Sequence, residues 1–283
     1  MLVRIITALV LAPLALGAIY GLGEPTFALV IAAIVAWAAW EWAGLVFAPL
    51  DSAQADAAVT TAAGSPAGKL IIGALFASVC VALCAWLWTR PDVLRDWLSV
   101  TSLCWLWAIA EVGLYPRQIS SRRNLRWVVF GLIALPGAWA GMVLLKALDP
   151  NLLVMACVLV WGADAGAYFV GRAFGRRKLA PKVSPGKTWE GALGGGVIGV
   201  LAAVGFGYLL VPAVAQAPYT YLLVAVVLVG VSVFGDLFES ILKRTAGAKD
   251  SGRLLPGHGG ILDRIDALIA VLPLMVVLTG WFV

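Results

Sequence analysis

Nine apolar segments, at 3–22, 26–48, 69–89, 93–115, 127–148, 151–173, 190–213, 218–241 and 261–283, recur along the 283 residues with short polar breaks between them. Each is close to the length that crosses about 30 Å of hydrocarbon, which takes roughly 20 helical residues. No water completes backbone hydrogen bonds inside lipid, so each crossing must close its own, as a helix does. The expected fold is therefore all-α, a polytopic integral membrane bundle of about nine transmembrane helices. Composition agrees, because 62% hydrophobic and 12% charged residues leave too little polar surface to clothe a water-soluble domain. The first segment is preceded only by Arg4 as a basic flank and has no clear small-residue cleavage site, so it reads as a retained span.

With nine alternating spans, the breaks after spans 2, 4, 6 and 8 share a side with the N-terminus. That side collects 17 of the 20 Lys and Arg, leaving only Arg90, Arg95 and Lys146 opposite. The positive-inside rule then puts the N-terminus in the cytoplasm. The net charge of +5 records this orientation and gives no argument for nucleic acid. Cysteines 80, 84, 104 and 157 all lie in apolar spans without metal-type spacing and read as packing residues. Trp37, Trp40, Trp42, Trp86, Trp88, Trp97 and Trp127 fall near span ends and read as headgroup-level anchors.

Residues 49–68, rich in Ala, Ser, Thr and Gly, read as a linker inside an N-terminal transmembrane scaffold of five spans over 1–150. From Trp161 the pattern changes: acids, bases and glycines gather around the remaining spans, so 151–283, with four spans and two cytoplasmic loops, is the expected catalytic region. Gly191, Gly195 and Gly199 recur every four residues, as do Gly162 and Gly166, a spacing that lets helix backbones approach closely in lipid.

Within that region Asp164 and Asp236 lie inside predicted spans, where an ionised carboxylate costs about 2.5 to 3.5 kcal/mol unless it faces a cavity, a cation or a base. Asp164 has Arg172 as a candidate partner. Asp236 lies two turns from Lys243, too far for a direct ion pair. Asp263 and Asp266 are three apart at the start of the last span and project from one face. Such hard oxygen ligands suit Mg²⁺, which takes one or two carboxylates together with substrate phosphates. The bland alternative is favourable placement at the positive end of a helix dipole, or pairing with Arg264.

Lys243, Arg244, Lys249, Arg253 and Arg264 surround the last loop, and Arg176, Arg177, Lys178, Lys182 and Lys187 lie between spans 6 and 7. They accompany "SPGKT" and "PGHGG", whose glycines allow backbone amides to approach phosphate oxygens. A phosphate-rich ligand accounts for both features. "PKVSPGKT" is not a P-loop: Pro181 stands where the first glycine is required, and no strand is expected before it. His258, the only histidine, either serves a leaving phosphate as an acid or braces its loop.

The stretch "SILKRTAGAKDSGRLLPGHGGILDRIDAL", Ser240 to Leu268, closely resembles the signature of the membrane-bound phosphatidate cytidylyltransferases, and "WGADAGAYFVGRAFGRRKLAPKVSPGKTWEGALGG" and "FGDLFES" look like that family's other blocks. The likeness is dense over 161–268 and loose before it. It implies an enzyme of phospholipid biosynthesis that moves the cytidylyl group of CTP onto phosphatidate, giving CDP-diacylglycerol and pyrophosphate. It further implies a homodimer in the bacterial inner membrane, with Mg²⁺, and a monovalent cation such as K⁺ as a second candidate. The resemblance gives the metal to Asp236 and Asp263, and together with the reading of the residues above the transfer step falls to these two with Lys243, Lys249 and His258. Substrate contacts fall to Asp164, Lys182, Ser184, Lys187, Arg244, Asp250, Arg264 and Asp266. Two rivals are a secondary transporter that uses buried carboxylates for ion coupling and a phosphatidyltransferase that consumes a CDP-alcohol. The first lacks an inverted repeat here, and the second lacks its aspartate motif.

Overall fold

The computed structural model describes residues 2–48, 66–115, 123–255, 257 and 259–280. Ten helices run through them: α1 (Leu2–Gly21), α2 (Glu24–Val46), α3 (Pro66–Trp88), α4 (Pro91–Leu114), α5 (Arg123–Leu148), α6 (Pro150–Phe174), α7 (Trp189–Leu210), the short α8 (Pro212–Gln216), α9 (Pro218–Thr245) and α10 (Leu262–Thr279). The nine long helices answer one to one to the nine apolar segments. Seven of them, α2 to α7 and α9, are long and apolar enough to cross a membrane, so the chain is a multi-pass membrane protein. Two fall short of that measure: the described apolar part of α1 is Leu9–Gly21, and α10 opens on charged residues. Of the expected linker, residues 49–65 lie outside the described residues and 66–68 already belong to α3.

Turns between helices are short because proline starts the next element. Pro91, Pro150, Pro212 and Pro218 each occupy a first helical position, where the missing N–H would have no intrahelical partner anyway. Asp149 caps α6 by accepting from Asn151 N at 2.8 Å. Pro273, inside α10, deprives the Ile269 carbonyl of its donor. The indole N–H of Trp105 in α4 supplies one at 3.2 Å.

The tryptophans correct one expectation. Trp37, Trp40, Trp86 and Trp88 are exposed, as an anchor should be, but Trp42 and Trp127 are 2% exposed and belong to the core. Trp42 donates to Trp127 O at 3.1 Å, and half-buried Trp97 donates to Ile133 O at 3.1 Å. In lipid a buried indole N–H must find an acceptor, and these find carbonyls of neighbouring helices. Around them an aromatic cluster joins the two halves of the chain: Phe238 of α9 lies 4.9 Å from Phe130 and 6.2 Å from Trp42, centroid to centroid. The cysteines are unbridged, with Cys80, Cys84 and Cys157 buried, as packing residues should be.

α6 and α7 pack along their glycines. A Cβ at Gly166 would lie 2.9 Å from the Cα of Gly195, and one at Gly199 would lie 2.9 Å from Ala163 Cβ. Between these helices stands a small antiparallel hairpin, β1 (Lys178–Ala180) and β2 (Ser184–Thr188). A strand therefore does precede "SPGKT", which is itself the second strand of the hairpin, contrary to the sequence reading. It is antiparallel and three residues long, not the parallel strand of a P-loop. Thr188 ends the hairpin and caps α7, accepting from Gly191 N at 3.2 Å, which carries Lys187 to the mouth of the α6–α7 pair.

Candidate active site

A cavity of about 690 Å³ opens between α6, β2, α7, α9 and the start of α10. Asp164 comes from the middle of α6, Ser184 and Lys187 from β2, and Asp236 and Lys243 from positions two turns apart on α9. Asp250 comes from the last loop, and Asp263, Arg264 and Asp266 from the first turns of α10. Nine of the thirteen residues expected at the site thus line one cavity. Four are not in its lining: Lys182 lines a neighbouring apolar groove, Arg244 donates to Val183 O at 3.1 Å and tethers the hairpin, Lys249 is exposed, and His258 lies outside the described residues.

Two ammonium groups organise the carboxylates. Lys187 of β2 pairs with half-buried Asp236 of α9, which answers how that acid within a span is balanced. Lys243 bridges Glu239 Oε2 at 2.5 Å and Asp263 Oδ1 at 2.6 Å. The other Asp263 oxygen accepts from Ser251 N at 2.8 Å, Ser251 Oγ at 2.9 Å and Gly260 N at 2.9 Å. Arg172, considered above as a partner for Asp164, instead donates to the Tyr168 hydroxyl at 3.2 Å. Five carboxylates and four basic side chains line the cavity, and Glu239 behind Lys243 adds a sixth acid. The excess of negative charge calls for a cation.

Glu239 was missed by sequence reading. It is 2% exposed, and its Oε1 has no hydrogen-bond partner among the described residues, an expensive state for a buried carboxylate oxygen. Oxygens of Asp236, Glu239 and Asp266 all lie within 4.8 Å of one another. The donor set, with its unpartnered oxygen, fits a divalent cation.

Glu41 of α2 was missed as well. Its carboxylate accepts from Leu262 N at 2.8 Å, Ser251 Oγ at 2.9 Å and Ile261 N at 3.2 Å. This changes the reading of the loop glycines. Gly259, at φ +77°, leaves room for Asp263 Oδ2, and a Cβ at Gly260 would lie 2.5 Å from the Glu41 carboxyl carbon. Two glycines assigned above to phosphate oxygens thus admit carboxylates. Gly186, which lines the cavity with open space where a Cβ would project, keeps the phosphate role available.

A second hollow, a groove of about 1070 Å³, is lined mostly by apolar side chains of α7 and α9 with the hairpin turn. Leu179, Ala192, Gly196 and Val233 belong to both linings, so the polar cavity and the apolar groove lie side by side with one wall in common.

Known proteins are similar to this chain along its length. A protein called phosphatidate cytidylyltransferase in Pseudomonas aeruginosa is 43% identical over 285 residues, covering 98% of this chain and 97% of that protein. Proteins of the same name in Haemophilus influenzae and Bacillus subtilis are each 43% identical, over 62% and 54% of this chain and 66% and 59% of their own lengths. The family model described as "Cytidylyltransferase family" matches residues 2–282. Matched in this way along nearly its whole length, the chain belongs to the cytidylyltransferase family.

Proposed function

We propose that the protein joins CTP and phosphatidate into CDP-diacylglycerol with release of pyrophosphate. The observation that carries this reading is that the two hollows lie side by side. A water-soluble triphosphate needs a charged cavity, and a diacyl lipid needs an apolar wall beside it. The reaction requires both phosphates at one point, and Leu179, Ala192, Gly196 and Val233 form the shared wall where they would meet.

In the reaction an oxygen of the phosphatidate phosphate attacks the α-phosphorus of CTP. The bond from that phosphorus to the bridging oxygen breaks, and pyrophosphate leaves with the electron pair. The attacking group is already an anion, so the main obstacle is repulsion between phosphates. Lys187, Lys243 and Arg264 line the cavity with positive charge for these oxygens, and Lys182 waits at the groove for the lipid headgroup. Lys187 and Lys243 are held by carboxylates, which keeps them aimed before substrate arrives. Asp236, Glu239 and Asp266 would hold Mg²⁺. Asp263, with Oδ1 on Lys243 and Oδ2 held by three donors, would be a further carboxylate beside it. Bound there, the ion would neutralise the charge that develops on the phosphates.

The proposal extends to topology. Nine crossings, a cytoplasmic N-terminus and a cavity open to the cytoplasm at the inner membrane are supported by the 17 to 3 partition of basic residues. Single cysteines placed at 116–126, 174–189 or 243–260 should resist an impermeant thiol reagent in intact cells. The division at residue 150 and the homodimer rest on the sequence pattern and the resemblance, and light scattering in detergent tests the dimer. The reaction is tested with purified protein, phosphatidate, Mg²⁺ and labelled CTP. Label on the α-phosphate should enter a chloroform-soluble lipid, and label on the γ-phosphate should leave as pyrophosphate. Transfer of the γ-label to lipid would mean a lipid kinase instead.

A further inference from the structure

Glu41 stands at the meeting of three elements. It is 5% exposed, near the end of α2, and its partners in the last loop and α10 lie 210 to 221 residues away in sequence. Oε1 accepts from Trp37 Nε1 at 3.1 Å and from Ile261 N at 3.2 Å, while Oε2 accepts from Leu262 N and the Ser251 hydroxyl. Ile261 and Leu262 carry the first N–H groups of α10, which have no partner within the helix, and Ile261 brings no capping side chain of its own. A carboxylate from another helix does that work, at the end where the helix dipole favours an anion.

The loop is shaped around this carboxylate. A Cβ at Gly252 would lie 2.8 Å from the Glu41 carboxyl carbon, and one at Gly260 would meet the same group from the other side. Ser251 connects it to the cavity. Its hydroxyl has one proton and stands 2.9 Å from both Glu41 Oε2 and Asp263 Oδ2, so it can donate to only one of them at a time. With the hydroxyl given to Glu41, the Ser251 backbone N–H still donates to Asp263 Oδ2 at 2.8 Å, so the chain Glu41, Ser251, Asp263, Lys243 runs from a helix of the N-terminal half to the cavity wall.

We propose that Glu41 is a positioning residue for cytidylyl transfer: through Ser251 and the first turn of α10 it fixes Asp263 against Lys243. The inference rests on the reading of Asp263 and Lys243 as parts of the transfer site. It makes α2 a determinant of turnover and not only of packing. Glu41 touches no cavity-lining surface itself, so its loss should act on kcat and leave CTP binding in place.

The test compares Glu41→Gln, Ser251→Ala, Ser251→Thr, the Glu41→Gln/Ser251→Ala double and Asp263→Asn, each taken from a monodisperse fraction in detergent with its melting temperature. Glu41→Gln should lower kcat by about tenfold or more, with KM for CTP within roughly twofold. Ser251→Thr, which keeps the hydroxyl, should recover part of what Ser251→Ala loses. The double variant should be no slower than its slower parent, because both changes interrupt one chain. A Glu41→Gln enzyme with wild-type kcat, losses that multiply in the double, or a Ser251→Thr enzyme no better than Ser251→Ala would overturn the proposal. Where Glu41→Gln yields no monodisperse protein, the two Ser251 variants decide it. A fully active Asp263→Asn enzyme would instead sink the underlying assignment of the transfer site.

Discussion

The polar groups of α1 to α5 and those of α6 to α10 end on different partners. In the first half, Trp42, Trp97 and Trp139 each donate to a backbone carbonyl, and buried Lys146 donates to Leu22 O at 2.9 Å. Each of these donors meets a backbone acceptor, the exceptions in this half being the Arg126–Glu111 pair and Glu41, which reaches into the last loop. In the second half side chains meet side chains: Lys187 with Asp236, and Lys243 with Glu239 and Asp263, around an open volume with a carboxylate oxygen to spare. A polar group that closes on backbone serves packing. A set of ionised groups that does not reach neutrality serves a ligand, since the membrane would otherwise penalise it.

The strongest way to break this contrast is to neutralise one acid of the second half. Asp236→Asn should lower cytidylyl transfer by about 10³-fold or more while the protein still elutes as a folded species, because an amide fills the same space but gives a cation a weaker ligand. An active Asp236→Asn enzyme would make the second half a structural ion network like any other.

Lys187→Ala should come next, at about 10²-fold, in line with the loss of one fixed group facing a developing charge. Its partner Asp236 is then left without an ammonium, so adding back Mg²⁺ should recover little of the rate. The matching change in the first half is Trp105→Phe, which strips the donor from the carbonyl orphaned by Pro273. It should cost about 1 to 3 kcal/mol of stability, read as a lower melting temperature in detergent, with kcat per folded molecule unchanged. Loss of turnover at equal stability would mean that the halves are not separable in this way. Lys182→Ala should have the smallest effect: at the exposed rim of the groove one charge is worth up to about 1 kcal/mol, so the apparent KM for phosphatidate should rise a few-fold at constant kcat.

Much of this was legible in the sequence, for reasons of one-dimensional physics. Long apolar runs have no option but helix, and the glycine spacing at 162, 166, 191, 195 and 199 could be read as close backbone packing because small residues four apart share a helix face. Charge in an apolar context singled out Asp164, Asp236, Asp263 and Asp266. The same rule should have singled out Glu239, but it lies four residues from Lys243 on one helix, a spacing that reads as an ordinary surface ion pair.

What only tertiary structure decided is which charge meets which. Lys187 and Asp236 are 49 residues apart and on different elements, so nothing in their spacing declares the pair. Glu41 looks from its neighbours like a polar residue at the end of a span. Its meaning comes from α10, whose first N–H groups need an acceptor that the local sequence does not supply. Trp42 and Trp127 likewise resemble interface anchors until Phe238 of α9 is seen packed among them. Periodicity and hydropathy belong to single segments and so determined the elements and the region that carries the chemistry. Hydrogen bonds and ion pairs between segments depend on how the helices are arranged, and that arrangement is a property of the packed bundle.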